Sequence, residues 1–216
     1  MEIFEYGEKE VAYLKKKDKK LGLAIERIGP IRRRVIPDLF EALVNSILSQ
    51  QISSKAAATV WNRMLERFEL ITPACIAEAS VEDIQQCGTT FRKANYIKDI
   101  SVAVLSGELN LEELKQLPDQ QVIKRLTSLK GIGIWTAEML LIFSLQRPDV
   151  VSWGDLAIRR GMMNLYGLTS LSTEQFARYR QRYSPYGSVA SLYLWELAAE
   201  PPIKKEPAKK SAQSKV

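Results

Sequence analysis

The chain contains no histidine, and only two cysteines, Cys75 and Cys87, among its 216 residues. Lack of histidine excludes Ser-His-Asp and Cys-His catalysis, His-ligated metal sites and the zinc deaminases. Two cysteines are too few for a four-cysteine zinc site or an iron–sulfur cluster, and a cytosol would keep them reduced. Long apolar runs are missing too. None approaches the roughly 18 residues of a membrane span, and the charged N-terminal segment has no signal-peptide stretch. A cytoplasmic protein without a membrane partner is expected, with acid–base chemistry left to carboxylates, lysine, tyrosine or cysteine.

Acidic charge is in short supply as well, giving a net charge of +6. Its location weakens it as a nucleic-acid signal. Residues 203–216 carry Lys204, Lys205, Lys209, Lys210 and Lys215 against Glu206, a net +4, so about +2 remains for the rest. The case for a polyanionic partner must therefore come from local features. At 46% hydrophobic and 26% charged residues, the composition is that of a globular protein. It reads as one domain over residues 1–202, and past Pro201-Pro202 as a disordered basic tail over 203–216.

What is present is helical periodicity. Phe40, Leu43, Val44, Ile47 and Leu48 recur at helical spacing after Asp38, with Glu41 three residues on as in a capping box. Ala56, Val60 and Met64 continue the pattern. Ser80 with Asp83, and Ser172 with Gln175, mark two further starts. Segments 92–105, 111–117 and 120–126 are shorter amphipathic stretches, and 187–199 closes the fold. Residues 138–145 are apolar nearly all round, which predicts a buried central helix. No strand alternation persists and no repeat recurs, so the expectation is an all-α fold of eight to ten helices.

Two segments carry chemistry. Leu129-Lys130-Gly131-Ile132-Gly133-Ile134-Trp135-Thr136-Ala137 sets two glycines between helical stretches. One reading is a tight helix–helix turn with a glycine cap. The other is a backbone that approaches a phosphate, with a helix N-terminus just behind it. Twenty-two residues after Gly133 stands Asp155, in Trp153-Gly154-Asp155-Leu156-Ala157-Ile158-Arg159-Arg160. It reads as an N-cap aspartate. That role is compatible with a catalytic one, because a helix N-terminus keeps a carboxylate ionised and a cationic sugar transition state needs a fixed anion.

Taken together, the hairpin and the following Asp-Leu-Ala-Ile-Arg-Arg segment resemble the helix-hairpin-helix DNA glycosylases, over about residues 30–200. The likeness is nearest to the 3-methyladenine DNA glycosylase II group, which removes alkylated bases. The resemblance implies a two-lobed all-α fold with its active site in the interlobe cleft. It places Asp155 at the catalytic position and Gly131, Ile132 and Gly133 at the DNA-backbone hairpin. It also assigns a structural Na or K to the backbone carbonyls of Thr127, Leu129 and Ile132, with no other cofactor. Lys130 replaces the proline common in that hairpin, and the β-rich N-terminal domain of some members has no counterpart.

Trp135 stands where strand-cutting relatives carry a nucleophilic lysine. A tryptophan forms no Schiff base, so the resemblance implies a monofunctional enzyme that uses water. Trp135, Trp195 and Met139 fall at positions of the alkyl-base pocket, where aromatic faces attract a cationic purine. The alternative for Trp135 is a core aromatic, for Trp195 a core role suits equally, and some relatives carry an aromatic at the Met139 position. In Ser49-Gln50-Gln51-Ile52-Ser53, Gln51 matches the residue that fills the gap left by an extruded base; the plain alternative is an exposed turn.

Arg32, Arg33, Arg34, Arg92, Lys93, Arg159 and Arg160 are candidates for phosphate contact. Glu138 is either a second carboxylate of the site or a surface residue. The expected partner is double-stranded DNA with a damaged base, and the expected state a monomer. Two other functions fit the same motif: a non-catalytic DNA-binding module, which has no use for Asp155, and a glycosylase for oxidised or deaminated bases.

Overall fold

The computed structural model describes residues 2–200; the expected tail over 203–216 lies outside the described residues. Thirteen α-helices make up those residues, more than the periodicity predicts, with one isolated antiparallel bridge between Ile3 and Arg34. They are α1 (Glu8–Lys17), α2 (Lys19–Ile28), α3 (Leu39–Ser49), α4 (Ser54–Phe68), α5 (Pro73–Glu78), α6 (Val81–Gln86), α7 (Phe91–Leu105), α8 (Leu111–Gln116), α9 (Asp119–Thr127), α10 (Ile134–Phe143), α11 (Leu156–Tyr166), α12 (Thr173–Tyr183) and α13 (Gly187–Ala199).

Local chemistry explains most of the helix starts. Ser80 with Asp83, and Ser172 with Gln175, form the reciprocal capping boxes that the sequence predicts. At α3 the box is half made: the Asp38 side chain accepts from the Glu41 amide, with no return bond from Glu41. The apolar stripe behind it buries Leu39, Phe40, Ala42, Leu43, Val44, Ile47 and Leu48. The predicted central helix starts earlier than residue 138. It begins directly after Gly133 and buries Thr136, Ala137, Leu140, Leu141 and Ile142.

The helices gather into two lobes. Helices α3 to α10 pack among themselves, while α1 and α2 join α11, α12 and α13. In the second lobe α11 crosses α13 so closely that a Cβ on Gly161 would stand 1.9 Å from the Leu194 carbonyl oxygen, so only glycine fits. The chain crosses the seam after α2 and again after α10. The second crossing is firmly held. The Ser188 amide donates to the Pro148 carbonyl (2.9 Å), and the Gly187 amide to the Asp149 carboxylate (3.0 Å). The Ser191 hydroxyl donates to the Val150 carbonyl (2.9 Å). These bonds deliver residues 151–155, and with them Asp155, to the seam between the lobes.

Candidate active site

Asp155 is the N-cap of α11 and is almost completely buried, at 7% exposure. Its Oδ1 accepts from the Ile158 amide at 2.8 Å, and its Oδ2 accepts from the Trp135 indole Nε1–H at 2.9 Å. One carboxylate oxygen thus serves the helix cap while the other is steered by an aromatic side chain from the opposite lobe. Both are charge-assisted bonds, which fix orientation as well as adding stability. One turn further along α10, Glu138 lies half-buried and accepts from the Ser152 hydroxyl at 2.5 Å. Burial pushes its carboxyl above the usual range; the Ser152 bond and Arg180 pull it back in part, and the charge of Asp155 adds to the rise. Helix α10 therefore holds the segment before α11 by two side chains three residues apart.

Trp135, Met139 and Phe143 are spaced four apart on α10, so they form one stripe over about 12 Å of helix. Trp135 is 47% exposed beside the catalytic carboxylate candidate, and its flanking apolar residues Ile134 and Leu156 are 64% and 59% exposed. Farther down, Met139 and Phe143 line a cleft of about 300 Å³ together with Arg34, Ile36, Asn45 and Ser46. Trp195, from α13, lies over Phe143 with ring centroids 5.4 Å apart. The structure thus sets Trp195 at the Phe143 end of the stripe.

The hairpin runs from the end of α9 to Gly133. Gly131 needs its glycine: its φ is +87°, and a Cβ would meet the Tyr96 ring at 2.5 Å. Gly133, the N-cap of α10, has open space around it and no side-chain cap, which leaves the first amides of the helix facing outward. The side chain of Ile132 is buried at 5%, so this residue can offer a ligand only its backbone. The Ile132 amide donates to the Leu129 carbonyl at 3.2 Å, while the carbonyls of Thr127 and Ile132 accept no such bond among the described residues.

Gln51 stands exposed at the end of α3 with φ +58°, a left-handed backbone that side-chain-bearing residues seldom adopt. Its neighbour Gln50 donates from Nε2 to the Gly131 carbonyl at 2.7 Å, which ties this loop to the hairpin. Lys93, expected at a phosphate, instead donates to the carbonyls of Leu48 (2.9 Å) and Gln50 (2.6 Å). Burial, and the neighbouring charge of Arg92, lower its ammonium from the usual lysine range. Arg159 lies over the Trp153 ring with its guanidinium carbon 4.9 Å from the centroid. The sequence gives no hint of the Gln50 and Lys93 contacts, since they join residues 81, 45 and 43 positions apart. A single signal was there for Ile134 and Leu156: apolar residues at the first positions of two helices, where polar ones are usual.

Comparison with known proteins places this geometry among repair enzymes. The profile described as HhH-GPD superfamily base excision DNA repair protein matches residues 44–185. The chain is 36% identical over 183 residues to DNA-3-methyladenine glycosylase 1 of Schizosaccharomyces pombe, covering 82% of this chain and 80% of that one. Among solved structures, a DNA-3-methyladenine glycosidase from Bacillus halodurans superimposes with a TM-score of 0.81 at 37% identity, over 92% and 93% of the two chains. A Schizosaccharomyces pombe 3-methyladenine DNA glycosylase in complex with abasic DNA gives 0.73 at 34%, over 87% and 95%.

Proposed function

Because the chain belongs to the HhH-GPD superfamily of base excision DNA repair proteins, we propose that it is a DNA glycosylase that removes alkylated bases of the 3-methyladenine type. DNA is its partner. The observation that carries the reaction is the double tie on Asp155, a buried carboxylate fixed at the lobe seam by the Ile158 amide and the Trp135 indole. When the N-glycosidic bond of a flipped alkylpurine breaks, its electron pair leaves with the base and positive charge develops on the sugar. A fixed anion stabilises that charge without reorganising. Water then bonds to the sugar carbon and gives up a proton, and the product is an abasic site. An alkylated purine already carries positive charge, so no strong general acid is required.

Trp135 and the cleft that Met139 and Phe143 line farther along α10 receive the base. Trp135 gives no amine for strand cleavage, and Lys93 in the same region is committed to main-chain carbonyls. The outward amides of Gly133 and the first turn of α10 suit a phosphate. The carbonyls of Thr127, Leu129 and Ile132 are hard oxygen donors, two of them without a hydrogen-bond partner among the described residues, and so fit a sodium or potassium ion, which would add positive charge to the hairpin. Gln51, held exposed beside the hairpin, fills the gap in the duplex.

Duplexes carrying an alkylated base, uracil or 8-oxoguanine, each scored for released base, test the proposal. Release from the alkylated duplex, nicks that appear only after alkali, and no borohydride-trapped adduct are expected. Release from the uracil or 8-oxoguanine duplex alone would transfer the activity to another lesion, and a trapped adduct would end the monofunctional reading.

A further inference from the structure

We infer that Gln50 and Lys93 are positioning residues, forming a latch that sets Gln51 at a fixed place relative to the hairpin before DNA arrives. The inference rests on the glycosylase reading above, on three hydrogen bonds that converge on one short loop, and on the packing of α7 against the hairpin. Gln51 is exposed and left-handed at φ +58°, a conformation that persists only where the surroundings hold it. The residue before it is held at both ends. Its carbonyl accepts from the Lys93 ammonium at 2.6 Å, and its side-chain amide donates to the Gly131 carbonyl at 2.7 Å. Lys93 also accepts the task of a helix cap, since it binds the Leu48 carbonyl near the negative end of α3 at 2.9 Å. One turn along α7 from Lys93, the Tyr96 ring packs so closely on Gly131 that no side chain fits there.

Helix α7 thus braces both DNA-facing pieces from behind, and Gln50 joins them in front. The consequence is mechanistic. The hairpin anchors the backbone near the lesion, while Gln51 must enter the stack at a set distance from that anchor. A loop free to move would lose backbone freedom each time it entered the duplex. Here that ordering is already built into the folded protein, so it is not charged against flipping. Neither latch residue touches DNA in this scheme; each acts through Gln51.

A double-mutant cycle tests this on the full chain. Gln50→Ala, Gln51→Ala and the double variant are compared for affinity to a duplex with an abasic-site analogue, relative to the same duplex undamaged. Gln50→Ala is expected to lower that preference about tenfold, to leave affinity for the undamaged duplex unchanged, and to add nothing in the Gln51→Ala background, because the two residues act as one unit. Lys93→Met should behave like Gln50→Ala, and Lys93→Arg should restore the preference, since a guanidinium can still bind both carbonyls. Independent, additive losses from Gln50 and Gln51 would overturn the latch. So would an unchanged preference in Gln50→Ala with an unchanged melting temperature. Parallel losses on damaged and undamaged duplexes would reduce Gln50 to a structural residue. If the wild-type protein releases no alkylated base, the glycosylase reading falls, whereas the binding cycle still reads the latch.

Discussion

Each oxygen of Asp155 has its own donor, and this decides what an isosteric substitution does. From the sequence, Asp155→Asn should cost little stability, because asparagine caps a helix about as well as aspartate. The structure changes that expectation. The asparagine oxygen can face either the Ile158 amide or the Trp135 indole, and its NH₂ then meets the other donor. A buried donor left without an acceptor costs about 1–3 kcal/mol, so a measurable fall in melting temperature is expected. Excision should fall by at least about a hundredfold in single turnover, as losing a preorganised charge does, with lesion-DNA affinity retained. A rate near wild type beside a lowered melting temperature would leave Asp155 only its cap.

Glu138 offers a pH test at the same scale. Its carboxyl is raised mainly by burial, so the folded protein holds that proton more tightly than the unfolded chain does. Stability therefore falls as pH climbs from the ordinary carboxylate value through the raised one, and the full penalty applies above it. Glu138→Gln keeps the size and an acceptor for Ser152 but carries no charge. Its melting temperature should match or exceed wild type at neutral pH, with the gap closing towards about pH 4. A gap that is constant from acid to neutral pH would remove the buried charge as its cause.

Among the elements, glycines separate fold from DNA contact. Gly161→Ala drives a Cβ into the Leu194 carbonyl and must push α11 from α13, an overpacking that costs about 1–3 kcal/mol or more. Gly131→Ala meets the Tyr96 ring and a φ of +87°. Both variants should melt lower, but only Gly131→Ala should also bind undamaged duplex more weakly. Equal DNA affinity for the two would detach the hairpin from phosphate binding.

The same scale shows what could be read beforehand. Helices with a full apolar stripe or a capping box, such as α3, α6 and α12, were legible because periodicity and caps are local signals. Helix α1 buries only Leu14 among charged neighbours, and α5 is six residues long, so neither carries enough periodic signal. The position of Asp155 was legible through its motif. Its indole partner was not, and neither was the Gln50–Lys93 brace, because contacts between lobes and across tens of residues leave no mark on local pattern.

At the scale of the whole molecule, charge and fold are unevenly shared. Of the net +6, residues 203–216 contribute +4, although they lie beyond α13 and none of the candidate site residues named above is among them. Residues 1–202 therefore carry little net charge, and on the proposed reading they grip DNA by placed groups: the hairpin amides and the exposed Gln51 loop. The two contributions respond differently to salt. Each phosphate neutralised by a lysine adds about −0.9 to the slope of log affinity against log salt on duplex DNA, whatever the sequence. Deleting residues 203–216 should accordingly weaken binding to undamaged duplex at low salt and flatten that slope, by up to about 0.9 for each lysine engaged. Base release from a saturating alkylated duplex at low salt should survive, since the Asp155 ties and the cleft lie within residues 34–158. Titration across a salt series, paired with single-turnover excision, separates the two. An unchanged slope would mean that the tail's lysines do not meet the backbone, and lost excision under saturation would make the tail part of the catalytic body.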